Sequence, residues 1–209
     1  MCNTYVAKPR NGAAGWKAKV SEELEKLKSA LIRKSDPGVV ILPGKTRNAD
    51  HTPHTMHWGF HRPFNPAINN SRSDKLESAV WKTAFDNRRC IIPVSAYYEW
   101  GEAIRGRKQA YEITGPDNPD HDWLWIAGIW EENPELGPCY SMITTAAAPT
   151  VSFIHDRMPA ILPWETAAEF LSGGKIEFSP FTGPLAANPC QSPLTRKKPN
   201  DGPKQGEFF

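Results

Sequence analysis

The chain has 209 residues, 39% of them hydrophobic, with 8 Trp, 9 Phe and 5 Tyr, which is enough apolar mass for a packed core and excludes a disordered chain. Its 25 basic and 23 acidic residues leave a net charge of +2, so any nucleic-acid footprint must be local rather than global. No run of about 18 apolar residues offers a membrane span, and 20 Pro with 15 Gly argue against an all-helical fold.

The opening MCNTYVAKPRNG lacks the apolar core of a signal peptide. Ser21 precedes EELEKLKSALIRK, where Leu24, Leu27 and Leu31 recur at helical spacing. Acids in the first turn and bases in the last complete the pattern of a helix over 22–34. Asp36-Pro37-Gly38 ends it, and VVIL at 39–42 reads as a buried strand. Trp58-Gly59-Phe60 reads as a β-run. A second helix is predicted from Ser73 or Asp74, with Asp74 and Glu77 spaced as a capping box and Leu76, Val80 and Ala84 on one stripe. From Arg89 the pattern changes to short β-rich runs, CIIPVSAYYEW, QAYEITG, DWLWIAGIWEE and CYSMITTAA, broken by turn residues such as Gly115-Pro116-Asp117. Pro163 opens a short helix through Leu171, stopped by Gly173-Gly174. The expected organisation is one α+β domain over 1–185, dominated by antiparallel strands, and an irregular tail over 186–209 that includes the solubilising Arg196-Lys197-Lys198.

Cys2, Cys90, Cys139 and Cys190 are far apart and form no CxxC pair, so zinc and redox motifs are not expected. The reading is a reducing cytoplasm with Cys90 and Cys139 as buried small hydrophobes, although two disulfides remain arithmetically open. Cys2 is distinct by position. Removal of Met1 puts an α-amine (pKa ~7.7–8.0) and a thiol (~8.5) on one residue. Such a pair attacks one aldehyde twice, first as an imine and then by ring closure to a thiazolidine. The competing reading is a chance cysteine at a frayed terminus.

Other strings carry chemistry. Ile154-His155-Asp156-Arg157-Met158-Pro159 sets an imidazole, a carboxylate and a guanidinium side by side, suited to proton transfer and phosphate binding, or else to a plain surface turn with an Asp156–Arg157 ion pair. Glu99, within Tyr97-Tyr98-Glu99-Trp100, is either a desolvated carboxyl that holds a proton or an alternating residue that points to water. Asn69-Asn70-Ser71-Arg72-Ser73 is either a helix-capping turn or a polar platform in which an Asn orients an amine and Arg72 meets a phosphate. His51, His54, His57 and His61 look like a metal cluster, but Pro53 and Pro63 break helical continuity, so no metal site is expected. Basic residues beside aromatics, as at Trp16-Lys17, Arg88-Arg89 and Arg105-Gly106-Arg107-Lys108, fit single-stranded nucleic acid or a solvated surface.

Taken in order, these strings resemble the SOS-response-associated peptidase (SRAP) family over roughly 1–185. The resemblance rests on Met1-Cys2, Trp58-Gly59, Asn70-Ser71-Arg72, Arg89-Cys90 through Pro93 to Tyr98-Glu99-Trp100, Ala127-Gly128-Ile129-Trp130, Ile143-Thr144-Thr145 and the 154–159 string. It implies twisted antiparallel strands in a partly open β-barrel with a few peripheral helices and a basic cleft for single-stranded DNA. It also implies a sensor of abasic sites that cross-links to the open-chain aldehyde through Cys2 as a thiazolidine, after self-removal of Met1, in the DNA damage response. On that resemblance Cys2 is the nucleophile, Asn70 holds its amine or the product ring, Glu99 is the acid/base for sugar opening and carbinolamine collapse, and His155 assists imine formation. Arg72 and Arg157 hold phosphates, with Thr144, Trp58 and Trp100 on the cleft wall. No cofactor, metal or membrane is implied; the expected state is a cytoplasmic, nucleoid-associated monomer whose partner is abasic single-stranded DNA. A β-elimination (lyase) activity accompanies an imine chemically.

The family usually opens Met-Cys-Gly-Arg, whereas Asn3 and Thr4 stand here, which removes a phosphate contact. Two other functions stay open on sequence: an N-terminal-nucleophile cysteine hydrolase acting on amides, and a noncovalent single-stranded DNA-binding module.

Overall fold

The structure, a computed structural model, describes residues 2–44, 50–62, 65–104, 106–115 and 123–194. Met1, Pro63, Arg105, the Pro116-Asp117 turn and Arg196-Lys197-Lys198 lie outside them. In chain order the elements are β1 (Thr4–Val6), α1 (Trp16–Glu25), β2 (Leu31–Arg33), β3 (Pro37–Leu42), β4 (Thr52–Trp58), β5 (Phe60–Arg62), β6 (Asn65–Ile68) and β7 (Asn70–Arg72). A 3-10 turn (Ser73–Lys75) and α2 (Lys82–Asn87) follow, then β8 (Arg89–Val94), β9 (Ala96–Ile104), β10 (Arg107–Thr114), β11 (Leu124–Asn133) and β12 (Gly137–Ala146). The described chain continues with β13 (Arg157–Pro159), β14 (Ile161–Leu162), α3 (Trp164–Leu171) and β15 (Ala186–Cys190).

The apolar runs at 39–41 and 90–94 have no polar alternation because both of their faces are covered. They become inner strands of a ring in which β12, β4, β3, β8 and β11 pair in turn and β11 returns to β12. The seam between β12 and β4 is parallel, and the other pairings of the ring are antiparallel. A second, open sheet runs β15-β10-β9-β1-β2. Trp58, Tyr5, Tyr97, Tyr140 and Phe60 are the bulkiest fully buried side chains. The hydroxyls of Tyr5 and Tyr140 meet at 2.5 Å directly over Gly38, where any Cβ would collide with both oxygens. The expected α+β barrel with peripheral helices is therefore present, and no helix among the described residues is long and apolar enough to cross a membrane.

Three local expectations are corrected. The helix predicted over 22–34 runs from Trp16 to Glu25 instead, with Val20, Ser21 and Leu24 inward. Ser21 is no cap; its hydroxyl lies inside the helix and accepts from the Arg10 N–H at 3.0 Å. The chain leaves the helix because the Ser29 hydroxyl takes the Leu31 N–H at 3.0 Å, after which residues 31–33 pair with β1. The predicted helix from Ser73 stops after one 3-10 turn. The Asp74 carboxylate is engaged by Arg72, no side-chain cap hydrogen bond starts the turn, and Val80 stands 48% exposed, off the supposed apolar stripe. Residues 186–190, expected to be irregular, form an edge strand along β10 in the register Tyr111↔Pro189. Pro189 suits an edge strand, where a missing N–H donor is tolerated.

Candidate functional site

The site is assembled where the ends of several strands meet. β7 lies parallel to β12 with Met142 opposite Asn70 and Thr144 opposite Arg72, and β13 lies along the same end of β12 with Ala146 opposite Arg157. This pairing carries the Asn-Ser-Arg string and the His-Asp-Arg string to one place. The Asn70 side-chain NH2 donates to the Cys2 carbonyl at 2.7 Å, and the Asn69 NH2 donates to the same oxygen at 2.9 Å. Asn69 reaches the Asn3 side-chain oxygen as well, at 3.2 Å, so residues 2 and 3 are gripped by two neighbouring carboxamides. Asn69 is itself fixed, because its backbone carbonyl accepts the Trp58 indole N–H at 2.9 Å. The Asn70 Oδ1 is buried with no hydrogen-bond partner among the described residues. An acceptor beside residue 2 thus stands ready for an N–H donor.

Cys2 is 0% exposed, and its thiol donates to the Thr4 carbonyl at 3.4 Å. Burial pushes the thiol pKa well above its ordinary value, and the negative charge of Glu99 adds to the rise. Shifted this way, the sulfur is a neutral thiol near neutral pH.

Glu99 arrives on β9. β1 pairs antiparallel with β9 through Tyr5↔Tyr97, and strand alternation puts Tyr97 and Glu99 on the inner face toward Cys2. Tyr98 takes the other face with Val6 and Ala96, and Trp100 packs against that cluster. Glu99 is only 3% exposed, and burial raises its pKa to about 7; the charge of Asp156 adds, against the opposing pull of the positive amino terminus and the Trp100 backbone. A carboxyl so placed exchanges a proton near neutral pH.

His155 sits in the turn before β13. Its Nδ1 accepts the Arg157 backbone N–H at 3.0 Å, while Asp156 Oδ1 lies 2.7 Å from the same nitrogen. The first contact needs Nδ1 bare and the second needs it protonated. Burial, followed by the positive charge of the amino terminus, lowers the imidazole pKa, which favours the bare nitrogen with the proton on Nε2. Asp156 is largely exposed and meets the imidazolium when it forms.

Arg72 and Arg157 flank this pocket. Arg72 binds Asp74 through Nε at 3.0 Å and Nη2 at 2.8 Å; Arg157 Nη2 donates to the Thr144 carbonyl at 2.5 Å and lies 3.6 Å from Asp74 Oδ1. The hydrogen bond from Arg72 holds the Asp74 carboxyl down at about 2. Asp74 thus lies between two guanidinium groups at the edge of this cluster.

Of the remaining candidates, Trp58 and Thr144 are buried behind this site and Trp100 lies away from it. Trp58 is fully buried and belongs to the core, edge-on to Tyr5 at 4.9 Å, where it supports the Asn69 carbonyl from behind. Trp100 lies on the face of β9 opposite Glu99. Thr144 is buried and contributes a carbonyl to Arg157 rather than a surface. Thr4 is buried too, with its hydroxyl on the Asn3 carbonyl at 2.7 Å, so it offers nothing to a ligand. His51 is wedged between Trp16 and Trp164, and among the described residues no three His, Cys, Asp or Glu side chains gather around a common centre. Cys2, Cys90, Cys139 and Cys190 are all free thiols. Asn69 is the functional candidate whose role sequence reasoning missed; the Asn-Asn pair was visible, but not that both amides reach one carbonyl.

The pattern of the SOS response associated peptidase (SRAP) family matches residues 1–192. The chain belongs to the SRAP family. Among SRAP relatives, the abasic site processing protein HMCES of Xenopus tropicalis is 28% identical over 195 residues, covering 77% of this chain and 58% of that protein. The abasic site processing protein YoqW of Bacillus subtilis is 32% identical over 108 residues, covering 49% of this chain and 47% of that protein. The chain thus spans about half the length of these curated relatives. A crystal structure of a Bordetella bronchiseptica protein superposes with a TM-score of 0.71 at 22% identity, covering 91% of this chain and all of that one; it shares the fold.

Proposed function

We propose that the protein captures abasic sites in single-stranded DNA by forming a covalent bond through Cys2. Support comes from the relatives named as abasic site processing proteins and, above all, from one observation: two carboxamides hold the backbone of Cys2 beside a buried carboxyl that titrates near neutrality.

Residue 1 is joined to the Cys2 nitrogen, so hydrolysis of that peptide bond, which consumes one water, uncovers the amine. An abasic sugar exists mainly as a closed hemiacetal. Glu99, protonated below about pH 7, donates to the ring oxygen as the C1′ hydroxyl gives up its proton, and the aldehyde opens. The C1′ hydroxyl proton passes back to Glu99 by way of water; the Cys2 amine then adds to C1′, and the carbinolamine takes the Glu99 proton and loses its hydroxyl as water while the nitrogen proton returns to Glu99. The Cys2 thiol then adds across the C=N bond, its proton passing to nitrogen, and closes a thiazolidine. Aldehyde, amine and thiol give the ring and one water. Asn70 Oδ1 accepts from the nitrogen in the amine, the carbinolamine and the closed ring, where it carries a proton, and neutral His155 relays protons. Arg72 and Arg157 meet the phosphates on either side of the lesion.

A chain bearing an authentic Cys2 terminus, mixed with a single-stranded oligonucleotide carrying one aldehydic abasic site, is expected to give a retarded band on a denaturing gel. Cys2→Ala is expected to give no stable band. Lack of a band with the wild-type protein contradicts the proposal.

A further inference from the structure

The rim of the pocket carries an aromatic pair that the chemistry above does not use. Tyr111 on β10 stands directly opposite Glu99 in the strand register, so both side chains project from the same face of the sheet. Gly101, two residues past Glu99 on that face, leaves room for the Tyr111 ring; a Cβ there would lie 3.2 Å from the ring and 3.9 Å from Ile154. Phe153 meets Tyr111 edge-on, with centroids 5.6 Å apart. It is 62% exposed, although it lies only two residues from His155. The turn that presents it is tied down by hydrogen bonds and buried neighbours. Val151 and Ile154 are buried on either side, and the N–H groups of Val151 and Ser152 both bond to the Ala148 carbonyl, at 3.0 and 2.9 Å. Phe153 is therefore presented by a hydrogen-bonded turn, in perpendicular contact with Tyr111 and with most of its side chain open to solvent.

We propose that Phe153, braced by Tyr111, is a stacking ledge for the nucleobase adjoining the abasic sugar. This rests on the proposed DNA reading of the Cys2 pocket. The chemistry of the surroundings favours a nucleotide over an apolar peptide. Lys108 and Arg157 both lie close enough for their charges to act on His155, two residues from Phe153, so an exposed ring and cations suited to phosphate occur together. A base unstacked from its neighbour finds a new partner on Phe153, whereas a base locked in a duplex is not free to do so. The ledge thus adds a preference for single strands that the covalent chemistry alone does not supply.

Equilibrium binding of the full chain is measured on two single-stranded oligonucleotides that carry an unreactive tetrahydrofuran abasic analogue. One has natural bases flanking the lesion, and the other has base-free spacers there. Phe153→Ala is expected to weaken binding to the first by about tenfold or more and to bind the second as the wild type does. Phe153→Trp should restore the first. Equal losses on both oligonucleotides, or no loss on either, overturn the ledge. Because the analogue cannot cross-link, this comparison still reads if the covalent proposal fails, and that failure is recognised separately by the missing band with aldehydic DNA.

Discussion

The Cys2 site and a large open groove lie on opposite faces of β9. The large groove encloses about 1670 Å³ and is lined by Val6, Lys8, Tyr98, Trp123, Trp125 and Trp164 among others. Size and aromatic lining would ordinarily mark it as the site. Two of its polar groups are engaged within the protein: the Tyr98 hydroxyl donates to Glu112 at 2.6 Å, and the Trp123 indole N–H donates to the Lys8 carbonyl at 2.8 Å. The Cys2 pocket is tight, but it holds a carboxyl raised to about 7, a lowered imidazole and a buried carboxamide oxygen with no partner among the described residues. Concave volume records how far two layers stand apart, whereas reactivity follows from polar groups buried in a perturbed state. One strand serves both, because successive side chains leave it on opposite sides.

The comparison breaks most completely at the nucleophile. Cys2→Ala is expected to abolish the stable cross-link, while Glu177→Ala, at the rim of the large groove, is expected to leave gel yield unchanged. Loss of cross-linking with the groove variant would reverse the assignment of the two regions. The next largest effect is expected at Glu99. Replacement by Gln should slow cross-linking by about 10²–10⁴-fold and remove the limb near pH 7 from the pH–rate profile. The same substitution has a stability consequence with a defined sign. The folded carboxyl binds its proton more tightly than the unfolded one, so wild-type stability falls as pH rises from 4.5 to about 7. Glu99→Gln should flatten that slope and raise Tm at pH 8, as read by calorimetry.

Smaller effects are expected in the cradle. Asn69→Leu removes one of two hydrogen bonds to the Cys2 carbonyl and should cost about tenfold in cross-linking rate in single-turnover assays. Combined with Asn70→Ala, the loss should be non-additive, because both amides serve one oxygen. The smallest effect is expected at Arg72→Ala, which should weaken all single-stranded sequences alike and reduce the salt slope of binding by about 0.7 for one lost phosphate contact.

Much of the fold was legible because strands over a core write themselves as apolar runs, as at 39–42 and 90–94, and because Pro163 and Gly173 punctuate α3. The leucine spacing at 24–31 misled because helical periodicity there competes with edge pairing to β1, a contact distant in sequence. Cys2, Asn70, Glu99 and His155 were legible as chemistry-bearing residue types in family order. Their convergence was implied by the family resemblance and not by residue types or spacing, since it depends on the register of β7 and β13 along β12. Trp100 shows the limit of adjacency in sequence: it neighbours Glu99 in the chain and is its opposite across the sheet. Tyr111 is the converse, twelve residues away and directly beside it.

The most direct test is intact mass spectrometry of the covalent product with an aldehydic abasic oligonucleotide. The account predicts a mass equal to protein lacking Met1 plus oligonucleotide less one water. An adduct that retains Met1, or no adduct at all from a correctly folded chain, would contradict it.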